Sequence, residues 1–407
     1  MKSFPQQLHD GLADRQAQDL YRHRKILTSP QATEIVVDGK PLLNFCSNDY
    51  LGLANHPDVV AACKKGIDHY GVGSGASHLV SGHSYPHHAL EEELAAFTGR
   101  SRALVFSSGY MANVGTLTAL AGKSDFVFED KLNHSSLLDG GLFCGANFKR
   151  YPHLDTEKLA KSLKAIEAPQ NIFIVSDGVF SMDGDCAPLP QLLGLAKKHK
   201  AQVMLDDAHG FGVLGKKGGG LVEYFQEQGQ QIDEHNLPIL IGTLGKAFGT
   251  QGAFVTGSDD LIESLIQLCR PYIYTTALAP ALAEATRASL KILENEHWRR
   301  EYLQHLIARF RTYCQETGWL LTDSITPIQG LILGKAKKSL ELSQLLEEEG
   351  IFVSAIRPPT VPLGTARLRI TFSSAHTEQQ VDRLLLALEK FRFMSETGKS
   401  EQNAIAG

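Results

Sequence analysis

Apolar residues along this chain fall into two rhythms. Between about residues 100 and 280 they form short, nearly unbroken runs at 103–106, 126–128, 172–175, 203–205, 239–241 and 253–256. Runs of that length are strand-sized, and strands apolar on both faces are those covered by other layers. Helical stretches separate them, over 110–120 and 191–199. The alternation predicts an α/β domain whose sheet is mostly parallel. After about residue 280 the rhythm changes. A long helical stretch over 281–317 precedes β pieces at 331–333, 351–354 and 367–372, and a last helix over 378–393. This pattern predicts a smaller C-terminal α+β domain. At the other end, Leu8, Leu12 and Leu20 among polar residues predict an amphipathic helix in roughly the first 25 residues. Strands at 34–37 and 42–45 flank an Asp38-Gly39 turn. The expected division is 1–50, 51–285, 286–393 and a small, polar, disordered end at 394–407.

Composition narrows the class. The chain has 407 residues, 43% hydrophobic and 21% charged, with a formal net charge of −5. Such a balance gives no general attraction to nucleic acid or anionic membrane, so an anionic ligand needs a local basic site. No apolar stretch is long enough to cross a bilayer, and the polar N-terminus does not read as a signal peptide. The six cysteines include no CxxC pair, which argues against a disulfide scaffold or zinc ribbon. Reduced thiols in a cytoplasmic protein are the expectation.

Several strand ends carry chemistry. The run 203–205 leads straight into Asp206-Asp207-Ala208-His209-Gly210, placing carboxylates and an imidazole where open α/β sheets bind ligands. The run 238–241 leads into Gly242-Thr243-Leu244-Gly245-Lys246. Glycines let backbone approach a ligand, and a desolvated lysine becomes nucleophilic toward an aldehyde. The turn Ser108-Gly109-Tyr110 opens a helix whose free amides suit a phosphate. His134 follows the run 126–128. Each segment alone has a plainer reading as a cap, a turn or a surface lysine; their combination carries the inference.

Two patterns point elsewhere and are set aside. The segment 71–76 satisfies G-x-G-x-x-A, but a charged helical stretch rather than a buried strand precedes it, so a nucleotide-binding dehydrogenase is not expected. His78, His83, His87 and His88 show no carboxylate or cysteine partner at ligand spacing, so no metal site is expected.

Taken together, the segments Asn44-Phe45-Cys46-Ser47-Asn48-Asp49-Tyr50-Leu51-Gly52-Leu53, Asp177-Gly178-Val179-Phe180-Ser181-Met182-Asp183-Gly184, 206–210, Thr243-Leu244-Gly245-Lys246 and Arg357-Pro358-Pro359-Thr360-Val361-Pro362 resemble the α-oxoamine synthase family of fold-type I enzymes that use pyridoxal 5′-phosphate (PLP). The resemblance runs from Leu20 to about Phe391. It implies an aminotransferase-like large domain, a homodimer with active sites at its interface, and a set of residue roles. Lys246 would hold PLP as a Schiff base and later move a proton. Asp206 would pair with the pyridine nitrogen and His134 would stack on the ring. His209 and Ser181 would hold the ring oxygen. Gly109, Tyr110 and Thr243 would hold the phosphate, reached from the neighbouring subunit by Thr275 or Thr276. Arg357 would bind the amino-acid carboxylate with Asn48 and Thr360. Asp177 stands where the family often has glutamate. The N-terminal arginine that meets the acyl substrate aligns with Arg22 or Arg24, or its place is taken by Tyr21. The run 357–369 is similar to members that join L-alanine to a pimeloyl thioester, carried on CoA or an acyl carrier protein. Glycine-using relatives, 2-amino-3-ketobutyrate CoA ligase and 5-aminolevulinate synthase, are the alternative.

Overall fold

A computed structural model describes residues 2–405 apart from 19 and 168, with side chains as far as 392. Thirteen strands are described. The first two are β1 (Glu34–Val37) and β2 (Lys40–Asn44). Next come β3 (Arg102–Phe106), β4 (Phe126–Asp130), β5 (Asn147–Tyr151), β6 (Ile172–Asp177), β7 (Gln202–Asp206), β8 (Ile239–Thr243) and β9 (Ala253–Gly257). The last are β10 (Ile328–Gly334), β11 (Ile351–Phe352), β12 (Ser354–Ile356) and β13 (Ala366–Thr371).

Seven of these form one sheet in the order β3-β9-β8-β7-β6-β4-β5. The pairings from β5 through β8 are parallel, whereas β9 runs antiparallel to both β8 and β3. All six residues of β6 are buried, as a strand covered on both faces requires. Two apolar cores result. Val105, Phe128, Ile174, Val203 and Leu205 face one, and Leu104, Val127, Val175 and Met204 face the other.

Register decides where the chemistry gathers. Asp177 of β6 lies opposite Asp206 of β7, and Asp206 lies opposite Ile241 of β8. Thr243 at the end of β8 pairs with Ala253, which also pairs with Phe106 at the end of β3. The carboxyl ends of β3, β4, β6, β7 and β8 therefore share one edge. Adjacent strands are about 4.8 Å apart, so residues sequentially remote become direct neighbours there.

Differences from the sequence reading have local causes. The strand β5 was not expected. Asn147-Phe148-Lys149-Arg150-Tyr151 is an edge strand that is largely exposed, and its charges hide the apolar signal while discouraging pairing with another chain. The stretch 281–317 is two helices, Pro280–Asn295 and Trp298–Glu316, interrupted at Glu296 and His297. The N-terminal helix is shorter than expected, Phe4–Ala17, leaving Leu20 outside it, and none of its residues is buried. The β1–β2 hairpin forms with Val37 opposite Lys40, as its turn predicts. Its β2 also pairs in parallel with β11, which ties the segment 1–50 to the C-terminal part. There β10, β13 and β12 form a small antiparallel sheet. The last helix is Glu378–Ile405. The expected disorder at 394–407 lies outside the described residues for side chains beyond 392 and for residues 406 and 407 altogether. No helix among the described residues is long and apolar enough to cross a membrane.

Candidate active site

Asp206 ends β7 and is buried. Its two oxygens are held from opposite directions. The Ala208 amide donates to Oδ1 at 3.0 Å, and Asn113 Nδ2 donates to Oδ2 at 2.6 Å. Alternation along the strand turns the next carboxylate the other way: Asp207 Oδ2 accepts the Leu221 amide at 2.6 Å. Burial pushes Asp207 up to about 8. The sequence presents two adjacent carboxylates, and only the fold distinguishes the one that reaches Asn113.

Asn113, on the Gly109–Leu120 helix, extends the contact. Its Nδ2 lies 2.8 Å from Ser136 Oγ, which lies 2.7 Å from His134 Nδ1. A chain of polar contacts thus links Asp206 to His134. His134 also caps the Ser135–Phe143 helix, and its backbone amide donates to Asp177 Oδ2 at 2.6 Å. Burial raises Asp177 well above the usual carboxylate range, and its neighbour Asp206 adds to the effect. A raised carboxyl group at this position is what burial next to a like charge produces.

Lys246 follows β8 in the Gly-rich turn. Removal from water lowers its ammonium to about 8, against the pull of Asp206 and Asp177. The amine and the Asp206 carboxylate therefore belong to one electrostatic neighbourhood. At neutral pH a lysine in that range keeps a usable fraction of free amine, whereas an ordinary lysine near ~10.4 keeps almost none.

A second chain of contacts joins three of the expected residues through two that the sequence did not single out. His209 Nδ1 is 2.7 Å from the Tyr50 hydroxyl, which lies 3.2 Å from Asn48 Oδ1. Arg369 Nη2 donates to the same Asn48 oxygen at 3.2 Å, and Arg369 Nε donates to the Ser181 carbonyl at 2.6 Å. Burial, with Lys246 and Arg369 nearby, holds His209 well below the usual imidazole range, so its ring is neutral at pH 7. Arg369 sits on β13 of the C-terminal sheet. The only sequence sign for it was the run of alternating arginines at 367 and 369.

The turn after β3 is shaped for an anion. Ser108 Oγ accepts the Met111 amide at 3.3 Å, and the Ser108 carbonyl accepts the Ala112 amide at 3.1 Å. The amides of Gly109 and Tyr110 precede these and have no intrahelical acceptor by position. Thr243 Oγ1 donates to the Gly252 carbonyl at 3.1 Å on the same edge. Thr276 lies close by in the same chain, its carbonyl 3.4 Å from Ser107 Oγ, and Thr275 is half-buried beside it.

Above His134 opens a cavity of about 680 Å³. Ser181 and Thr360 share its wall with three cationic side chains, Arg22, Lys131 and Arg150. Lys131 and Arg150 were not anticipated; the second lies on the missed strand β5. Arg150 Nη2 donates to the Lys131 carbonyl at 2.6 Å, which fixes the guanidinium at the cavity. Arg357 is half-buried just before this cavity's 359–362 wall, and its carbonyl accepts the Thr360 amide at 3.0 Å.

The donor set fits PLP. A buried carboxylate suits a protonated ring nitrogen, a lysine of lowered pKa suits the aldehyde, and a helix N-terminus suits the phosphate. The buried Asn113 Oδ1 has no partner among the described residues, so this polar pocket is not satisfied by protein alone.

Comparison with known proteins agrees with this geometry. Residues 40–388 match the class I and II aminotransferase family. The chain is 60% identical over 377 residues to 8-amino-7-oxononanoate synthase of Pseudomonas fluorescens, covering 93% of this chain and 94% of the relative. Among solved structures, serine palmitoyltransferase with PLP superposes with a TM-score of 0.88 at 31% identity, covering 95% of this chain and 97% of that one. The 8-amino-7-oxononanoate synthase of Francisella tularensis superposes with a TM-score of 0.75 at 34% identity, covering 87% and 99%.

Proposed function

The chain belongs to the class I and II aminotransferase family and, within it, to the 8-amino-7-oxononanoate synthases, and from that premise we propose that it joins L-alanine to a pimeloyl thioester with loss of carbon dioxide, a step of biotin synthesis. The observation that carries the reading is that Asp206 ends β7 while Lys246 follows the end of the adjacent β8 at one sheet edge, with His134 tied to Asp206 through Asn113 and Ser136.

Bound PLP supplies an electron sink that stabilises negative charge at the α-carbon of the amino acid. Asp206 would keep a proton on the ring nitrogen, with Asn113 holding the carboxylate in place. Lys246 would hold the cofactor, and its Nζ would serve as the base for the α-proton. His134 would shield the cofactor from water. His209, neutral and steadied by Tyr50, would hold the ring oxygen together with Ser181. Gly109, Tyr110 and Thr243 would hold the phosphate. Asn48 and Arg357 bind the alanine carboxylate beside Thr360, and the buried Arg369 fixes Asn48 from behind. Preorganised charge of this kind is the largest single source of acceleration in many enzymes.

The cationic side of the cavity supports recognition of an anionic acyl substrate by Arg22, helped by Lys131 and Arg150. Hydrogen bonds to charged groups contribute about 1.5–3 kcal/mol. Arg150→Ala is therefore expected to raise KM for the pimeloyl thioester about tenfold or more, leaving KM for alanine unchanged. Steady-state kinetics with each substrate varied in turn checks this; an equal rise for both would remove Arg150 from acyl recognition.

A homodimer is supported by apolar side chains left in water near the phosphate turn. Leu79, Val80, Tyr110, Leu142, Phe143 and Tyr274 are all exposed. Their elements pack on one another in series. Thr275 or Thr276 of a second copy is read as reaching the phosphate there. Six free thiols support a cytoplasmic setting.

The test of the reaction is product mass. Alanine with pimeloyl thioester should give 8-amino-7-oxononanoate, with both CoA and acyl carrier protein tried as carriers. A strong preference for glycine with acetyl-CoA would instead establish the glycine-using alternative.

A further inference from the structure

We propose that His83, His88 and Glu91 form a binding site for one divalent transition-metal ion, of the zinc class, separate from the PLP residues. The fold supplies the carboxylate that the histidine spacing alone lacked. His88 and Glu91 are one turn apart on the Tyr85–Thr98 helix, so they share a face. His83 comes from the turn just before it. One donor atom from each of the three lies within 4.8 Å of the others, with His83 Nε2 3.9 Å from Glu91 Oε2. Zinc bonds to nitrogen and oxygen are about 2.0–2.2 Å, which puts tetrahedral ligand atoms about 3.3 Å apart. Small rotations of the exposed His83 and His88 cover that difference, and water completes the tetrahedron.

The protons fall in the right places. A metal-bound imidazole needs a bare nitrogen facing the ion and a partner for its other N–H. His83 Nδ1 lies 2.9 Å from His78 Nδ1, so with the shared proton on His83 its Nε2 is free toward Glu91. The neighbouring triad of His78, His83 and His87 does not offer this. His87 Nε2 is committed to the Leu278 carbonyl at 2.6 Å, and its Nδ1 accepts the Ser84 amide at 3.1 Å.

Glu91 is the second sign. Its Oε1 accepts the Val105 amide at 2.9 Å, while Oε2 points to His83. Among the described residues no lysine or arginine forms an ion pair with it. The competing contact of His88 with Glu92, 3.4 Å, is exposed and therefore weak. The turn itself has no slack, since a Cβ on Gly82 would lie 2.0 Å from the Ala76 carbonyl oxygen. The same chain segment continues to Ser77, which pairs with Thr276 beside the phosphate turn. A bound ion would staple that segment to the helix.

The test is calorimetric titration of untagged holoenzyme with zinc chloride, without added amino acid. Wild type should bind one ion per chain with micromolar or tighter affinity. His88→Gln, an exposed substitution that leaves the fold and basal turnover intact, should weaken binding at least tenfold, and Glu91→Gln should do the same. Absence of stoichiometric binding to wild type, or wild-type affinity in His88→Gln, would overturn the proposal.

Discussion

Lys246→Ala should lower kcat by about four orders of magnitude or more while leaving the folded chain intact. Two losses combine. The amine proposed to bond the cofactor would disappear, and so would the base proposed to move the α-proton. General acid–base catalysis alone contributes typically ~10²–10⁴-fold, and loss of the covalent attachment adds to it. The position tolerates the smaller side chain because Lys246 is half-buried on a turn rather than part of the apolar core. Burial lowers its ammonium to about 8, so removal also relieves a desolvated amine. Thermal unfolding should therefore move little. Single-turnover kinetics and a melting curve together check the prediction. A variant that kept wild-type kcat would contradict the assignment of Lys246.

Asp206→Asn carries the second largest expected effect. The substitution preserves shape and removes the charge, and its NH2 group, which cannot accept, also gives up one of the two contacts from Asn113 and the Ala208 amide unless the Asn113 amide turns over. Removing one partner of a buried charge pair costs about 3–5 kcal/mol, which corresponds to roughly two to four orders of magnitude in rate. The loss should fall on kcat, because the charge matters most when electrons flow toward the ring nitrogen. PLP should still bind through Lys246 and the helix N-terminus. Asp207→Asn provides the contrast: that carboxyl group faces Leu221, and it should change stability rather than the chemical step. Rates lowered equally by both substitutions would contradict the separation of roles.

The sequence disclosed what is local. Continuous apolar runs marked six of the seven large-sheet strands because burial on both faces removes the need for polar alternation. The strand ends then advertised Asp206, His209, Lys246 and His134. What stayed hidden depends on distance along the chain. Asn113 looks like any polar residue in a helix; it matters because helix packing carries it to Asp206, 93 positions away. Arg369 meets Asn48 across 321 positions, through pairing of C-terminal strands with the rest of the fold. Tyr50 reads as a core aromatic, and it is fully buried, yet its hydroxyl bridges Asn48 and His209. The strand β5 escaped because an exposed edge tolerates Lys149 and Arg150, and with it went one cation of the cavity beside His134. Glu91 was likewise too ordinary a helical residue to be joined to the histidines before it.

Borohydride reduction of the holoenzyme, followed by proteolysis and mass mapping, tests most directly whether Lys246 bonds the cofactor. The pyridoxyl label should appear on the peptide spanning Thr243 to Phe248, at Lys246 and at no other lysine. A label on a different lysine, or a fully active enzyme in which no peptide is labelled, would contradict the account.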